Sequence, residues 1–272
     1  MNYRHAYHAG NFADCFKHAI LVWLLRALVQ KEKPFFVLDT HAGAGKYDLQ
    51  ADQAQRTGEA QAGIVRLLEN PPPALADFTA LMRQLGLYPG SPAIIRAMLR
   101  PGDRAAACEL HPEDHAALRR HFARDAQMAV HLRDGFEAIR AFLPPTERRG
   151  LTLIDPPYEA PDEFSRVAEA LRTAQSRFPG GVAAAWYLLK PRAPVRAFQE
   201  QLHAAALRDM VAAEIFLREP TDPSRLNGCG MILLNPPFRF DAELPLVLEA
   251  LLARLGNREP GEGVALIRLA DE

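Results

Sequence analysis

The fold of this chain is indicated first by the stretch Phe35-Phe36-Val37-Leu38-Asp39-Thr40-His41-Ala42-Gly43-Ala44-Gly45. An apolar run of strand-forming residues leads directly into a G-x-G turn. Glycine lets the backbone approach a ligand closely, and such turns are typical of the carboxyl end of a parallel strand. Alone the motif is a weak signal, because an ordinary strand-to-helix turn also accounts for it.

Apolar, strand-forming runs alternate with helical periodicity along the rest of the chain. The runs lie at residues 35–38, 105–108, 128–132, 151–154, 182–189, 211–217 and 231–234. Several lack an in/out alternation, as expected for strands that are buried on both faces. Amphipathic helical patterns cover 12–28 and 111–124. The alternation predicts an α/β fold with a seven-stranded, mostly parallel, doubly wound sheet.

One stretch departs from this rhythm. The chain between Asp39 and the second strand is far longer than a simple strand–helix–strand crossover needs. Helical patterns at 58–69, 74–86 and 91–99 fill it, and Ser91-Pro92 is a favourable helix start. We therefore expect one domain, 1–272, that carries a small helical insertion at 48–90.

Composition excludes several classes of protein. With 49% hydrophobic and 24% charged residues, the chain is neither disordered nor fibrous. No apolar run reaches the roughly 18–20 residues of a membrane span, and the first residues lack the apolar core of a secretory signal. Three scattered cysteines fit neither a disulfide framework nor a zinc site. These features predict a cytoplasmic protein without membrane contact, and a net charge of -1 leaves room only for local basic patches.

Two acidic residues follow the next two strands. Glu109 ends the run 105–108, and Asp134-Gly135 follows the run 128–132. An acid at the first position can accept hydrogen bonds from ribose hydroxyls, and one at the second can accept from an adenine amine. The third glycine of a G-x-G-x-x-G motif is missing, since position 48 is Asp48. S-adenosylmethionine, which has no phosphate, therefore fits this pocket better than NAD.

The most informative tetrapeptide is Asp155-Pro156-Pro157-Tyr158, which follows the run 151–154. The prolines fix the backbone and remove two N–H donors, so the carbonyls and the Asp155 carboxylate remain as acceptors. Such a corner suits a planar aromatic amine: the carbonyls and Asp155 accept hydrogen bonds from its NH₂ group, and Tyr158 stacks on its ring. Acceptors on an adenine N6 expose its lone pair to a methyl donor, and Asp155 can take up the released proton.

A similar pattern occurs at Asn235-Pro236-Pro237-Phe238. It follows the seventh candidate strand, far from the predicted cofactor edge of the sheet. We interpret it as the end of an antiparallel hairpin, with Phe238 packed in the core, and reject it as the catalytic corner.

Several segments together resemble the bacterial 23S ribosomal RNA adenine-N6 methyltransferase family. The resemblance runs in order from residue 1 to about 239, and the N-terminal run is its most specific part. The segments are MNYRHAYHAGNFADCFKH at 1–18, LDTHAGAG at 38–45, YPGSP at 88–92, DG at 134–135 and DPPY at 155–158.

The resemblance implies a Rossmann-like class I methyltransferase fold with a helical subdomain, acting as a monomer on 23S ribosomal RNA. It implies Asp155 as proton acceptor and Tyr3 as a substrate contact, and S-adenosylmethionine as cofactor. The implied cofactor pocket comprises His18, His41, Ser91, Glu109, Asp134, Gly135 and Asp155, and the glycine turn adds Gly43. The acceptor corner adds Pro156 and Tyr158 to the catalytic set.

Polar residues near the N-terminus are candidates for contact with RNA. Asn11, Asp14, Lys17 and His18 share one helical face opposite the apolar stripe, a pattern that usually marks a solvated face. We expect His5 and Lys17 to line the side from which the base enters. The nearby histidines match no common metal-ligand spacing, so no metal is expected. Candidate contacts to the RNA backbone are Lys190, Arg192, Arg196, Arg148, Arg149, Arg56, Arg66 and Arg83.

Two other functions remain open at this point. A DNA adenine-N6 methyltransferase uses the same D-P-P-Y corner, but it would need a target-recognition domain larger than this insertion. A nucleic-acid-binding protein of DNA uptake, without catalysis, would have no use for an intact acceptor corner.

Overall fold

The strands of this protein form one large sheet and one short ribbon. The computed structural model describes residues 9–48, 58–86 and 88–271. The large sheet contains β1 (Phe36–Asp39), β4 (Arg104–Glu109), β5 (Met128–Leu132), β6 (Gly150–Ile154), β7 (Val182–Leu189), β8 (Met210–Phe216), β9 (Gly228–Leu234) and β10 (Gly263–Ala270). The ribbon pairs β2 (Lys46–Tyr47) with β3 (Tyr88–Pro89).

The large sheet has the order β10-β8-β9-β7-β6-β1-β4-β5. Five adjacent strands, from β7 to β5, are parallel, whereas β9 runs antiparallel to β7 and β8, and β10 runs antiparallel to β8. The mixed α/β architecture is confirmed, but the predicted count of seven strands in the sheet is wrong. The eighth strand, β10, is a half-exposed edge strand, and its short apolar run at 264–267 was not among the predicted strands.

Helices cover both faces of the sheet. Apolar side chains on alternate positions of each buried strand point to opposite faces, and each face forms its own core. The helices are α1 (Phe12–Val29), α2 (Arg66–Glu69), α3 (Ala76–Leu85), α4 (Ser91–Met98), α5 (Pro112–His121), α6 (Gly135–Phe142), α7 (Glu163–Arg177), α8 (Arg192–Ala204) and α9 (Phe240–Leu255). Across the described part of the chain, none of them has the length and apolarity of a membrane span.

Helix α1 carries polar groups into the interior. Asn11 caps its start by accepting a 2.9 Å hydrogen bond from the Asp14 amide. The helix packs against α4 and α9, which buries its apolar stripe. Asp14, Lys17 and His18 are also buried, with 2%, 8% and 5% of each residue exposed. The solvated face that such a pattern usually marks is therefore not found here, because this end of α1 lies over the edge of the sheet where the parallel strands end.

The segment between β2 and β3 is helical where it is described. A π-helical turn (Gln61–Val65) continues into α2, and a 3₁₀ turn (Pro73–Leu75) continues into α3. The ribbon of β2 and β3 brings the two ends of this segment together. Residues 49–57 and 87 lie outside the described residues, and the insertion subdomain at 48–90 stays a prediction.

Candidate active site

The carboxyl ends of the parallel strands meet at one edge of the sheet. In the sheet, β1 lies between β4 and β6, so the chain continues from β1 to one side and later returns to the other side. Such a position is a topological switch point, where α/β sheets bind ligands. A cavity of about 850 Å³ opens there. It is lined by His18, His41, Gly43, Ser91, Glu109, Asp134, Gly135, Asp155, Pro156, Tyr158 and Lys17, among other residues.

Two residues predicted to touch RNA, Tyr3 and His5, lie outside the described residues. Every other predicted site residue borders this one cavity. The structure thus brings together side chains that are separated by more than a hundred positions in sequence. Their roles toward ligands remain predictions.

The glycine turn after β1 is held by Glu109. Gly43 and Gly45 have φ values of 62° and 84°, which favour glycine. The Gly43 amide donates a 2.8 Å hydrogen bond to Glu109 Oε2, and the His111 amide donates a 2.6 Å bond to Oε1. Burial raises the pKa of the Glu109 carboxyl, although these amide bonds oppose the rise. After the turn comes β2 and not a helix N-terminus, so no pyrophosphate site forms there.

Asp134 caps helix α6. Its Oδ1 accepts hydrogen bonds from the amides of Phe136 and Glu137 at 2.8 and 3.2 Å, and its Oδ2 lies 3.0 Å from the Arg166 guanidinium. Burial would raise the pKa of Asp134, but the two amides and Arg166 outweigh it and lower the pKa. Asp134 is therefore an ionised acceptor whose Oδ2 is paired with Arg166, and both residues line the cavity.

His41 is a neutral imidazole of defined tautomer. Burial lowers its pKa to about 4. Thr40 Oγ1 donates to the carbonyl of Leu153 at 2.8 Å and also lies 2.8 Å from His41 Nδ1. Because the Thr40 proton is already engaged, His41 Nδ1 carries the hydrogen and Nε2 is left as an acceptor. On the other wall, His18 Nδ1 shares a 2.8 Å hydrogen bond with the Tyr88 hydroxyl.

Asp39 is an acid that the sequence analysis did not single out. It is 1% exposed, accepts a 2.7 Å hydrogen bond from Ser91 Oγ on Oδ2, and has no partner for Oδ1 among the described residues. Burial raises its pKa to about 7. The sequence signal that marks it is its position as the last strand residue before the glycine turn.

We expect the buried charge of Asp39 to make the protein less stable as pH rises. Its folded pKa near 7 exceeds the unfolded value near 3.8, so this group favours folding at low pH and loses that contribution between about pH 4 and 7. The penalty above pH 7 is about 4 kcal/mol at most. The melting temperature of Asp39→Asn, measured relative to that of the wild type, should therefore rise as the pH increases from 5.5 to 8. A difference in melting temperature that does not change with pH would contradict the raised pKa of Asp39.

The Asp-Pro-Pro-Tyr corner follows β6. One oxygen of Asp155 lies 2.8 Å from Lys17 Nζ, which is also 3.1 Å from Asp14 Oδ1. Tyr158 has a φ of 52°, unusual for a side-chain-bearing residue, and its hydroxyl donates a 2.9 Å bond to the carbonyl of Trp186. The Tyr158 and Trp186 rings meet edge to face at 5.6 Å. The aromatic ring is thus fixed beside the Asp155 carboxylate.

The second corner, at Asn235, lies at the opposite edge of the sheet. Because β9 runs antiparallel to β7, its carboxyl end is near the start of β7, and the Asn235 amide donates to the carbonyls of Pro179 and Gly181 at 2.8 and 2.7 Å. The hairpin of β8 and β9 agrees with the prediction. The placement of Phe238 in the core is wrong, since it is 92% exposed after a left-handed turn at Asn235.

Most of the predicted RNA-contacting arginines are engaged within the protein. Arg149 donates to three backbone carbonyls, Arg83 to one, and Arg66 to Asn257 and Gly256. The Arg192 guanidinium lies 4.6 Å from the centre of the Phe216 ring. Lys190 lines the cavity. Arg56 lies outside the described residues.

The described residues contain no group of three or more His, Cys, Asp or Glu side chains arranged to hold a metal ion. Arg166 and Trp186 also border the cavity and were missed by sequence reasoning. Trp186 lies inside a strand and Arg166 inside a helix, and neither belongs to a recognisable motif.

Comparison with known proteins places the chain in a family. The family model described as "Ribosomal RNA large subunit methyltransferase D, RlmJ" matches residues 32–266. The chain is 38% identical over 263 residues to ribosomal RNA large subunit methyltransferase J of Escherichia coli, covering 94% of both chains. It is 37% identical over 264 residues to the protein of the same name from Haemophilus influenzae, again covering 94% of both chains.

A solved structure has the same fold. The crystal structure of protein LPL1258 from Legionella pneumophila is 33% identical and superposes with a TM-score of 0.87, covering 96% of this chain and 98% of that one.

Proposed function

Because the chain belongs to the RlmJ family of ribosomal RNA large subunit methyltransferases, we propose that it methylates the exocyclic N6 amine of one adenine in 23S ribosomal RNA, with S-adenosylmethionine as methyl donor. The observation that supports this most is the common cavity of the Asp-Pro-Pro-Tyr corner and the two acids at the ends of β4 and β5, Glu109 and Asp134. We further propose that it acts as a cytoplasmic monomer.

The residues on the cofactor side of the cavity suit S-adenosylmethionine. The cavity is within the usual range for small-molecule sites, about 300–1,000 Å³, and is large enough to admit a nucleoside as well. In this proposal Glu109 accepts hydrogen bonds from the ribose hydroxyls, and Asp134 accepts one from the adenine amine. The unpartnered Oδ1 of Asp39 lies beside Ser91 at the end of β1. When bound, S-adenosylmethionine supplies a methyl group on a positively charged sulfur.

The acceptor corner activates the target amine. Asp155 and the carbonyl of Pro156 accept the two N6 hydrogens, and Tyr158 stacks on the purine. Holding N6 in this way directs its lone pair out of the ring plane, so that the displacement is accelerated mainly by positioning. After transfer, Asp155 takes the proton that N6 loses. Lys17, 2.8 Å from Asp155, keeps the carboxylate oriented and compensates its charge.

An adenine base can reach the Asp-Pro-Pro-Tyr corner only when it is not stacked inside a double helix. An adenine that is stacked and paired in a duplex cannot contact Tyr158, so it must be unpaired or flipped out. Ribosomal proteins and finished RNA structure would obstruct that movement. We therefore propose that free ribosomal RNA is the substrate, during assembly of the large subunit.

The test is transfer of labelled methyl groups to three substrates. We expect N6-methyladenosine, identified by mass spectrometry of nucleosides, in protein-free 23S ribosomal RNA, with slower transfer to intact large subunits and none to duplex DNA. Equal or faster methylation of intact subunits would contradict the proposed substrate, and label in DNA would favour a DNA adenine methyltransferase.

A further inference from the structure

The cavity extends beyond the acceptor corner, on the side away from Glu109 and Asp134. We call this part the flank lobe and define it by Leu188, Lys190, Leu217, Ser224, Arg225 and Leu226, all of which line the cavity. It lies at the carboxyl ends of β7 and β8, next to Trp186 and Tyr158. The proposed chemistry at Asp155 uses none of these side chains.

The flank lobe is held in place by a buried asparagine. Asn227, with none of its surface exposed, donates from its backbone amide to the carbonyl of Leu189 at 2.9 Å. Its side-chain amide donates to the carbonyls of Lys190 at 3.0 Å and Asp222 at 2.7 Å. These bonds fasten the loop between β8 and β9 to the end of β7. The lobe is therefore formed before any ligand arrives.

The cations of the lobe are available to an anion. Arg218 makes two hydrogen bonds to Glu259, at 2.7 and 2.8 Å, and largely neutralises that carboxylate. Arg225 lies 3.7 Å from the same carboxylate, and 53% of its side chain is exposed. Lys190 is half-buried and makes no ion pair with any described residue. Two positive groups and three leucine side chains, Leu188, Leu217 and Leu226, thus line the same part of the cavity.

This combination is chemically suited to a nucleotide. Apolar side chains accept the face of an unpaired base regardless of its identity, while cations at the rim accept phosphate oxygens. When the target adenine is flipped out of its strand, the nucleotides next to it in the RNA come close to the opening of the cavity. An acidic peptide would match the two cations but not the leucine side chains that line the same part of the cavity.

We propose that the flank lobe binds the nucleotide next to the target adenosine in single-stranded RNA. The leucines contact its base, and Lys190 and Arg225 bind the phosphates on either side of it. This inference rests on the proposed function, because it takes the adenosine at Asp155 as its reference point.

The test compares two double variants with the same change of charge. Lys190→Gln with Arg225→Gln removes the cations of the lobe, whereas Arg124→Gln with Arg208→Gln removes two exposed cations that do not line the cavity. The lobe variant should bind protein-free 23S ribosomal RNA roughly tenfold to a hundredfold more weakly, with a matching rise in KM for RNA. Its kcat at saturating RNA and its affinity for S-adenosylhomocysteine should stay within about threefold of the wild type. The control variant should change RNA affinity less than about threefold.

The dependence on salt gives a second readout. Loss of two phosphate contacts should reduce the slope of log K against log salt by about 1.4 for single-stranded RNA. An unchanged affinity and slope in the lobe variant would overturn the inference while leaving the proposed function intact. Failure of the wild type to methylate ribosomal RNA would overturn both. Arg225→Gln alone, at an exposed side chain, should show about half of the change in slope and provides a test should the double variant fold poorly.

Discussion

Asp155→Asn should lower kcat for methyl transfer to 23S ribosomal RNA by roughly 10²–10⁴-fold, the range expected when a general base is removed. Asparagine keeps the shape of the side chain and one acceptor oxygen. It lacks the charge that stabilises the methylated, positively charged amine, and it cannot take up the proton. The affinity for S-adenosylhomocysteine should stay within about threefold, because Glu109, Asp134 and Ser91 remain unchanged.

The variant should also fold normally. Lys17 keeps a carboxylate partner in Asp14, at 3.1 Å, so removal of the Asp155 charge does not leave a buried cation without compensation. The matched control is Asp162→Asn, the same substitution at an exposed position just before α7. It should retain wild-type kcat. Retention of more than about a tenth of the activity in Asp155→Asn would contradict a catalytic role for the carboxylate.

Gly135→Ala should cost both stability and cofactor affinity. A Cβ atom at this position would stand 2.1 Å from the carbonyl oxygen of Thr40 and 2.9 Å from Cε1 of His41. The first of these is backbone in the turn after β1, so it cannot rotate away. Either α6 or that turn must move, at a cost of about 3 kcal/mol. We expect a melting temperature roughly 5–10 °C lower and S-adenosylhomocysteine binding at least tenfold weaker.

A matched substitution isolates this effect. Gly263→Ala adds the same methyl group in β10, where no atom lies within 4 Å of the added carbon. It should leave the melting temperature within about 2 °C of the wild type and cofactor affinity unchanged. A Gly135→Ala variant that behaves like Gly263→Ala would show that α6 does not need its close approach to Thr40.

The strands and the acidic residues at their ends could be predicted because they follow from local patterns. A buried parallel strand is a continuous apolar run, and the carboxyl ends of such strands meet at one edge. This reasoning places Glu109, Asp134 and Asp155 around one cavity. It does not extend to β10, a partly exposed antiparallel strand whose apolar run at 264–267 is short and is not buried on both faces.

Contacts between distant parts of the chain could not be predicted from the sequence. The corners at Asp155 and Asn235 have similar sequences; the antiparallel course of β9, which was predicted, separates them, but the exposure of Phe238 was not predicted. The bond from Arg166 to Asp134 joins α7 to the start of α6, and the bond from Lys17 to Asp155 joins α1 to the end of β6. Such long-range partners have no local signature.

The pattern of α1 alone also did not show that its polar face is buried. A helix with Asp14 and Lys17 on one side and leucines on the other ordinarily turns its charges to water. Here the charges neutralise one another over the edge of the sheet. Helical spacing shows which residues share a face, but not what that face contacts.

The most direct measurement is a crystal structure with an analogue that joins adenine N6 covalently to the position of the cofactor's methyl group. Our account predicts the linked nitrogen within about 2.7–3.2 Å of an Asp155 oxygen, with the purine stacked on Tyr158. An analogue whose purine lies outside the Asp-Pro-Pro-Tyr corner, or an Asp155 side chain turned away from that nitrogen, would contradict it.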